Sequence, residues 1–274
     1  MKQWAMTGAV LAGFLAAAGT LNATLIPDAT FNLCAGEQPS FTPGTFPNVN
    51  VNVDTSVPQS VSYDATNSLY TVTASASTSG APGLGGSPTA NAQGGASGKI
   101  SSADVAAAAR ITYFVGVDAI GGAPVRSVPV ILHATGSISV GGNGLPSLVS
   151  RVTSGVWLGA SKTQWCFVEF WQGDWASPKS YDKTTTIMVT SGSSYQVLVN
   201  AFGSGHDFGV GGSNNTGSWN FTSVADPTAT IDPSYAYADQ YLLTMSANAV
   251  VPEPATLSLL ALGGVGLLVR RRRR

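Results

Sequence analysis

Between Ser127 and Val140 the chain alternates strictly in character. Val128, Val130, Leu132, Ala134, Ile138 and Val140 fall on one parity, and Ser127, Pro129, Ile131, His133, Thr135, Ser137 and Ser139 on the other. A period of two belongs to an extended strand with one face buried and the other wet, whereas a helix would repeat its apolar positions every three or four residues. The same period appears where Val49, Val51 and Val53 alternate with asparagines, and where Tyr70, Val72, Ala74 and Ala76 alternate with Thr and Ser. Further strand-like runs are Ile111 to Val117, Trp165 to Trp171, Thr185 to Thr190, Tyr195 to Phe202, Trp219 to Val224 and Gln240 to Ala247, separated by Gly, Pro, Asn and Asp clusters. This spacing predicts an all-β chain, an antiparallel β-sandwich of jelly-roll type with roughly eight to eleven strands, in one ectodomain over residues 24–250.

One segment reads two ways. Asp104 to Arg110 could cap and propagate a helix through its alanines. As a strand, Val105, Ala107, Ala109, Ile111, Tyr113, Val115 and Val117 would share one face, and the β-branched and aromatic continuation favours the strand. The low-complexity stretches Ser77 to Gly98 and Gly203 to Ser218 read as mobile loops.

Composition supports an exported β protein. Only 10% of residues are charged, 44% are hydrophobic and 32 are glycine. The net charge of −1 conceals a segregation, because five of the thirteen basic residues are Arg270 to Arg274 and a sixth is Lys2. From residue 24 to 251 seven basic residues face thirteen acidic ones, a balance of −6 that argues against nucleic acid as a partner.

The ends carry the most specific information. Residues 1–23 run from Lys2 through the apolar stretch Ala5 to Ala18 to the small, polar Gly19-Thr20-Leu21-Asn22-Ala23, the three-part plan of a signal peptide cut after about Ala23. An uncleaved N-terminal anchor is the alternative. In residues 251–274, Val251-Pro252-Glu253-Pro254 precedes an apolar segment over 255–269 and then Arg270, Arg271, Arg272, Arg273 and Arg274. The prolines keep the motif extended and accessible. The hydrophobic helix that follows would be ~22 Å long, short for a bilayer. The arginines should stay cytoplasmic, leaving the rest of the chain outside.

This order closely resembles the PEP-CTERM sorting signal, with its Val-Pro-Glu-Pro motif, Gly-containing hydrophobic segment and terminal basic cluster. The resemblance implies recognition and cutting near the motif by an exosortase, with Glu253 as a recognition residue, in bacteria that make exopolysaccharide. It implies a chain that is membrane-anchored before processing and then sits at the cell surface or in the extracellular matrix. An ordinary single-pass anchor is the competing reading of the same tail. The stretch Ala225-Asp226-Pro227 followed by Ile231-Asp232-Pro233-Ser234-Tyr235 also looks familiar from PEP-CTERM proteins, with no chemistry attached.

Candidates for chemistry are few. Cys34 and Cys166 could form a single bridge in an exported protein, or remain two unpaired buried thiols. His133 and His206 match no zinc spacing. Calcium could be held only through oxygen ligands such as Asp226, Asp232 and Asp239, although Asp-Pro pairs usually start turns. No metal and no cofactor is expected. Ser180-Tyr181-Asp182-Lys183 fits Ser-x-x-Lys, but without the companion motifs that penicillin-recognising enzymes need. Glu169 and Asp174 could be drawn as a glycosidase pair, a coincidence found in many chains. Asn214 and Asn220 sit in N-glycosylation sequons.

The strongest local feature is the aromatic segment Trp165 to Trp175. On a strand, Trp165, Phe167 and Trp171 would share a face with Glu169, giving a sugar-stacking surface of Trp165, Glu169, Trp171 and Trp175. The competing reading places these rings in the core. The sequence thus points to an exported, surface-sorted matrix protein without catalysis, processed by signal peptidase and exosortase. A carbohydrate-binding module and an exopolysaccharide-modifying hydrolase are the alternatives.

Overall fold

A computed structural model describes residues 26–36, 51–55, 58–66, 70–79, 89–98, 103–142, 151–170, 178–207 and 217–246. The signal peptide and sorting tail therefore lie outside the described residues, as do Trp171, Asp174 and Trp175. Thirteen strands are described: β1 (Thr30–Gly36), β2 (Val51–Thr55), β3 (Ser60–Thr66), β4 (Tyr70–Ser79), β5 (Thr89–Gly98), β6 (Ala103–Ala119), β7 (Ser127–Gly142), β8 (Arg151–Leu158), β9 (Thr163–Phe170), β10 (Lys179–Thr190), β11 (Ser194–Asp207), β12 (Gly217–Ile231) and β13 (Tyr241–Met245). A 3-10 turn at Ala238–Gln240 is the one helical element among the described residues.

All pairings are antiparallel. The first sheet has the order β2-β1-β6-β11-β8-β9, and the second β10-β7-β12-β5-β4-β3. The strand β13 pairs with β6 beside Val115 to Ala119, on an edge whose neighbouring stretch, Ala106 to Thr112, is taken by β1. First and last strands thus lie end to end along β6. Ser246 joins them: its Oγ donates to the Pro27 carbonyl at 2.7 Å and accepts from the Phe114 N–H at 3.0 Å.

The alternating patterns select the buried face as expected. In β6, Val105, Ala107, Ala109, Ile111, Tyr113, Val115 and Val117 all enter the core. The strand reading of Asp104 to Arg110 is correct, because this strand is flanked by β1 and β11 and can satisfy its backbone on both edges. In β7, Val128, Val130, Leu132, Ala134 and Ile138 face the same core, with Val140 packed against it.

Two sequence readings need correction. The stretch Ser77 to Gly98 is not all loop, since β5 occupies Thr89–Gly98 between β4 and β12. Its composition hides a buried strand: Ala90, Ala92 and Ala96 point inward, and Gly94 leaves room for the fully buried ring of Phe221 directly across the ladder. Likewise Gly203 to Asp207 extends β11, and Gly217 with Ser218 opens β12. Asp226-Pro227 lies inside β12 and starts no turn. Pro227 pairs with Ala134 of β7 and lies beyond Ala225, the last β12 residue that β5 pairs among the described residues. Asp232 does start a turn, accepting from the backbone N–H and the hydroxyl of Ser234 at 2.8 and 2.7 Å.

The core between the sheets is alanine-rich, and the rings of Phe221 and Tyr181 meet glycines in it. A Cβ on Gly94 would lie 2.9 Å from the Phe221 ring; one on Gly203, from the opposite sheet, would overlap that ring outright. Gly136, the cross-strand partner of Tyr181 in its own sheet, leaves room for the Tyr181 ring in the way Gly94 does for Phe221. Two buried serines tie the sheets together. The Ser154 hydroxyl donates to the Val224 carbonyl and the Ser223 hydroxyl to the Thr153 carbonyl, each at 2.5 Å.

Of the two readings for Cys34 and Cys166, the structure holds the unpaired one. Both thiols are free and buried. They lie on β1 and β9, four strand spacings or ~19 Å apart in the first sheet, far beyond the ~7 Å Cα limit of a bridge. They also belong to different faces. Cys166 enters the inter-sheet core, whereas Cys34 packs with Ala106, Ala108 and Phe202 in a separate cluster.

Two outcomes follow from this packing. Gly203→Ala should destabilise the protein by ~1–3 kcal/mol in urea unfolding through overpacking against Phe221. An unchanged midpoint would mean that the ring does not abut this glycine. Burial pushes both thiols from 9.0 up to about 12, so at pH 8 a disulfide reagent should label neither cysteine in the native protein and both in urea. Because the unfolded thiols ionise first, their contribution to stability is fully present below about pH 9 and is lost as pH rises towards 12.

Candidate functional site

The aromatic segment proposed for sugar stacking is divided by a bulge. In the β8–β9 ladder Cys166 pairs with Val156 and Gln164 with Trp157, so Trp165 is the extra residue. A bulge shifts the facing of the residue it inserts, and Trp165 packs against the inter-sheet core with Cys166, Val168 and Phe170. Phe167 and Glu169 take the other face. There Phe167 makes an edge-on contact with Trp157 at 5.8 Å, and the Glu169 carboxylate accepts from Arg151 Nε in an ion pair that is about four-fifths buried. Lys179 Nζ donates to the Glu169 carbonyl at 3.0 Å and sits 4.6 Å from the centre of the Phe170 ring. The shared face of Trp165, Phe167 and Glu169 is therefore not formed. Glu169 is committed to Arg151.

Other candidates are similarly dispersed. Ser180 and Lys183 lie on β10, where residues three apart project to opposite faces, so the Ser-x-x-Lys match cannot bring hydroxyl to amine. His133 Nε2 meets Asp182 Oδ1 at 2.8 Å across the β7–β10 ladder, both side chains solvent-accessible on the open outer face. Asp226 is engaged by the Thr89 hydroxyl at 2.9 Å and Asp232 by Ser234. Among the described residues no three His, Cys, Asp or Glu side chains gather as a metal site.

What the second sheet does build is a polar trough on its outer face, with a volume of about 400 Å³. Two cross-strand rows form it. One runs Asp64, Thr73, Gly95 and Asn220 over β3, β4, β5 and β12; the next runs Ser62, Ser75, Gln93 and Thr222 over the same strands. The four strands span ~14 Å at the usual spacing. Gly95 supplies no side chain between Thr73 and Asn220, which leaves the row open at its centre. The intervening inward row is Tyr63, Ala74, Gly94 and Phe221, so the trough floor rests on the same small residues that seat the Phe221 ring.

Polar side chains stand over a floor that includes Ala74, Gly94 and the buried Phe221. The side chains offered are hydroxyls, two amides and the Asp64 carboxylate, with no cation and no exposed ring among the described lining residues. Thr222 shares a hydrogen bond with Ser139 at 2.6 Å. Among the described residues, Ser62, Asp64, Thr73, Ser75, Gln93 and Asn220 spend no side-chain group on an internal partner. None of these was singled out from the sequence except Asn220, as part of a sequon. The available signal was the outward parity of β3, β4 and β12, but pairing them required β5, which the sequence presented as a loop.

Comparison with known proteins is informative at one end of the chain. No curated protein matches it. Solved structures overlap it only slightly. A chain from infectious bursal disease virus, Gx strain, is 10% identical over 83% of this chain, with a TM-score of 0.22, and this chain spans 57% of its length. A family 16 carbohydrate-binding module is 14% identical over 48% of this chain and 81% of its own, with a TM-score of 0.15. The K1 cleaved adhesin domain of Lys-gingipain from Porphyromonas gingivalis W83 is 10% identical over 63% and 90%, with a TM-score of 0.18. Overlaps of this size carry no argument about function. Residues 250–274, in contrast, match the family model of the PEP-CTERM protein-sorting motif, and the chain carries that sorting signal at its C-terminus.

Proposed function

We propose that this is a non-catalytic β-sandwich protein of the cell surface or extracellular matrix, exported under a signal peptide at residues 1–23 and released from its membrane anchor by an exosortase. The observation that carries this reading is the sorting motif over residues 250–274, which includes Val251, Pro252, Glu253, Pro254 and the terminal arginines. The motif is a device for exported chains: its basic end is retained on the cytoplasmic side while the preceding residues stand outside.

The absence of catalysis in this reading draws on the dispersal of reactive groups among the described residues. Both thiols are buried and hard to ionise, Glu169 is ion-paired with Arg151, and the His133–Asp182 pair lies on an open sheet face rather than in a cleft. A broad, stable surface built on a rigid sandwich suits display better than turnover.

The test is the intact mass of the protein from cell-surface and medium fractions, compared with a Glu253→Ala variant. The native form should lack the residues that follow the Pro-Glu-Pro motif and have lost residues 1–23, while the variant should accumulate with Arg270 to Arg274 still attached. A native form retaining the arginines would make the tail a plain anchor.

A further inference from the structure

We propose that the trough on the outer face of the second sheet, lined by Ser62, Asp64, Thr73, Ser75, Gln93 and Asn220, binds a neutral polysaccharide strand. Several properties select this class of ligand. The trough is elongated across four strands, so it suits a chain better than a compact metabolite. Its about 400 Å³ lies within the range of small-ligand clefts and leaves room for a short run of sugar rings.

The lining groups are matched to hydroxyls. Serine and threonine both donate and accept, while Gln93 and Asn220 each present an amide donor pair beside a carbonyl acceptor. A sugar hydroxyl likewise donates and accepts, so a polyhydroxylated chain can satisfy such a surface without leaving either kind of group unpaired. These side chains have no internal partner among the described residues, so binding would not first have to break internal bonds.

Charge excludes the main competitors. The single ionisable group in the lining is Asp64, and no Lys or Arg faces it there, so a phosphate- or uronate-bearing polymer would meet repulsion. The apolar atoms that line the floor belong to Ala74, Gly94 and Phe221, and because Ala74 is small and the Phe221 ring is buried, no exposed ring or long aliphatic chain is offered to a lipid or an apolar peptide. Without a stacking ring the affinity of one site will be low. Display of many copies on a surface raises effective affinity through multivalency.

The inference leans on the export reading only for where the ligand is met, and the two fail separately. Full-length protein in mild detergent is run through native gels containing dextran, mannan or hydroxyethyl cellulose as neutral probes, and alginate as the anionic one. At least one neutral polymer should retard the protein and alginate should not. Thr73→Trp, which fills the gap over Gly95, should abolish retardation; the double variant Gln93→Ala with Asn220→Ala should weaken it about tenfold, the loss expected for two hydrogen bonds. Phe167→Ala, on the other sheet, should leave it unchanged. The double variant is the control should Thr73→Trp disturb the fold. Retardation by no neutral polymer, stronger retardation by alginate, or loss with Phe167→Ala instead of the trough variants would overturn the proposal. A protein that binds dextran yet keeps its arginines loses only the sorting reading.

Discussion

The close approach of β12, in one sheet, to β8 and β11 in the other is the constraint on which the rest of this structure depends. A sandwich filled with leucine and phenylalanine separates its sheets by about 10 Å. Here Ala74, Ala76, Ala90, Ala92, Ala96, Ala107, Ala109, Ala134, Ala201, Ala225 and Ala229 fill much of that space. Two of the buried rings are accommodated where a neighbouring strand gives up its side chain. Phe221 has Gly94 beside it and Gly203 opposite, and Tyr181 has Gly136. The same close approach lets the hydroxyls of Ser154 and Ser223 reach carbonyls on the other sheet.

These cross-sheet bonds and ring seats meet on β12. Phe221 and Ser223 are consecutive inward residues of that strand, and their outward neighbours, Asn220 and Thr222, form one wall of the polar trough. The alternation of a strand therefore couples core and surface directly: whatever holds β12 against β8 and β11 also sets the position of the trough's amide and hydroxyl groups. Burial on one face supplies the energy, while the other face is left free to carry function. Short side chains serve both faces, because they leave room for buried rings inside and open polar rows outside.

Parity and processing signals were legible in the amino-acid sequence. The even positions of β7 and the odd positions of β6 could be assigned to the core from their periodicity, because the side-chain period of a strand is independent of its partners. The sorting tail was legible for a related reason: its recognition rests on a short, contiguous, extended motif beside a hydrophobic run, with no dependence on tertiary contacts. Even the free state of Cys34 and Cys166 was among the readings the residues allowed.

Partnership was decided only by the tertiary structure. The strand β5, Thr89 to Gly98, has almost no β-forming residues and was read as a loop; it is a strand because β4 and β12 pair with both of its edges and Phe221 needs its glycine. Trp165 was expected beside Glu169 on one face, but a single inserted residue in the β8–β9 ladder turned it to the core and left Glu169 to Arg151. The trough follows the same logic, since Ser62, Thr73 and Gln93 come from the successive strands β3, β4 and β5 and Asn220 from the distant β12, and they become neighbours only through register. Local sequence determines which way each side chain points and where the chain is sent. Which side chains meet is determined by hydrogen-bonded pairing between distant strands, because that pairing is a property of the assembled sheet.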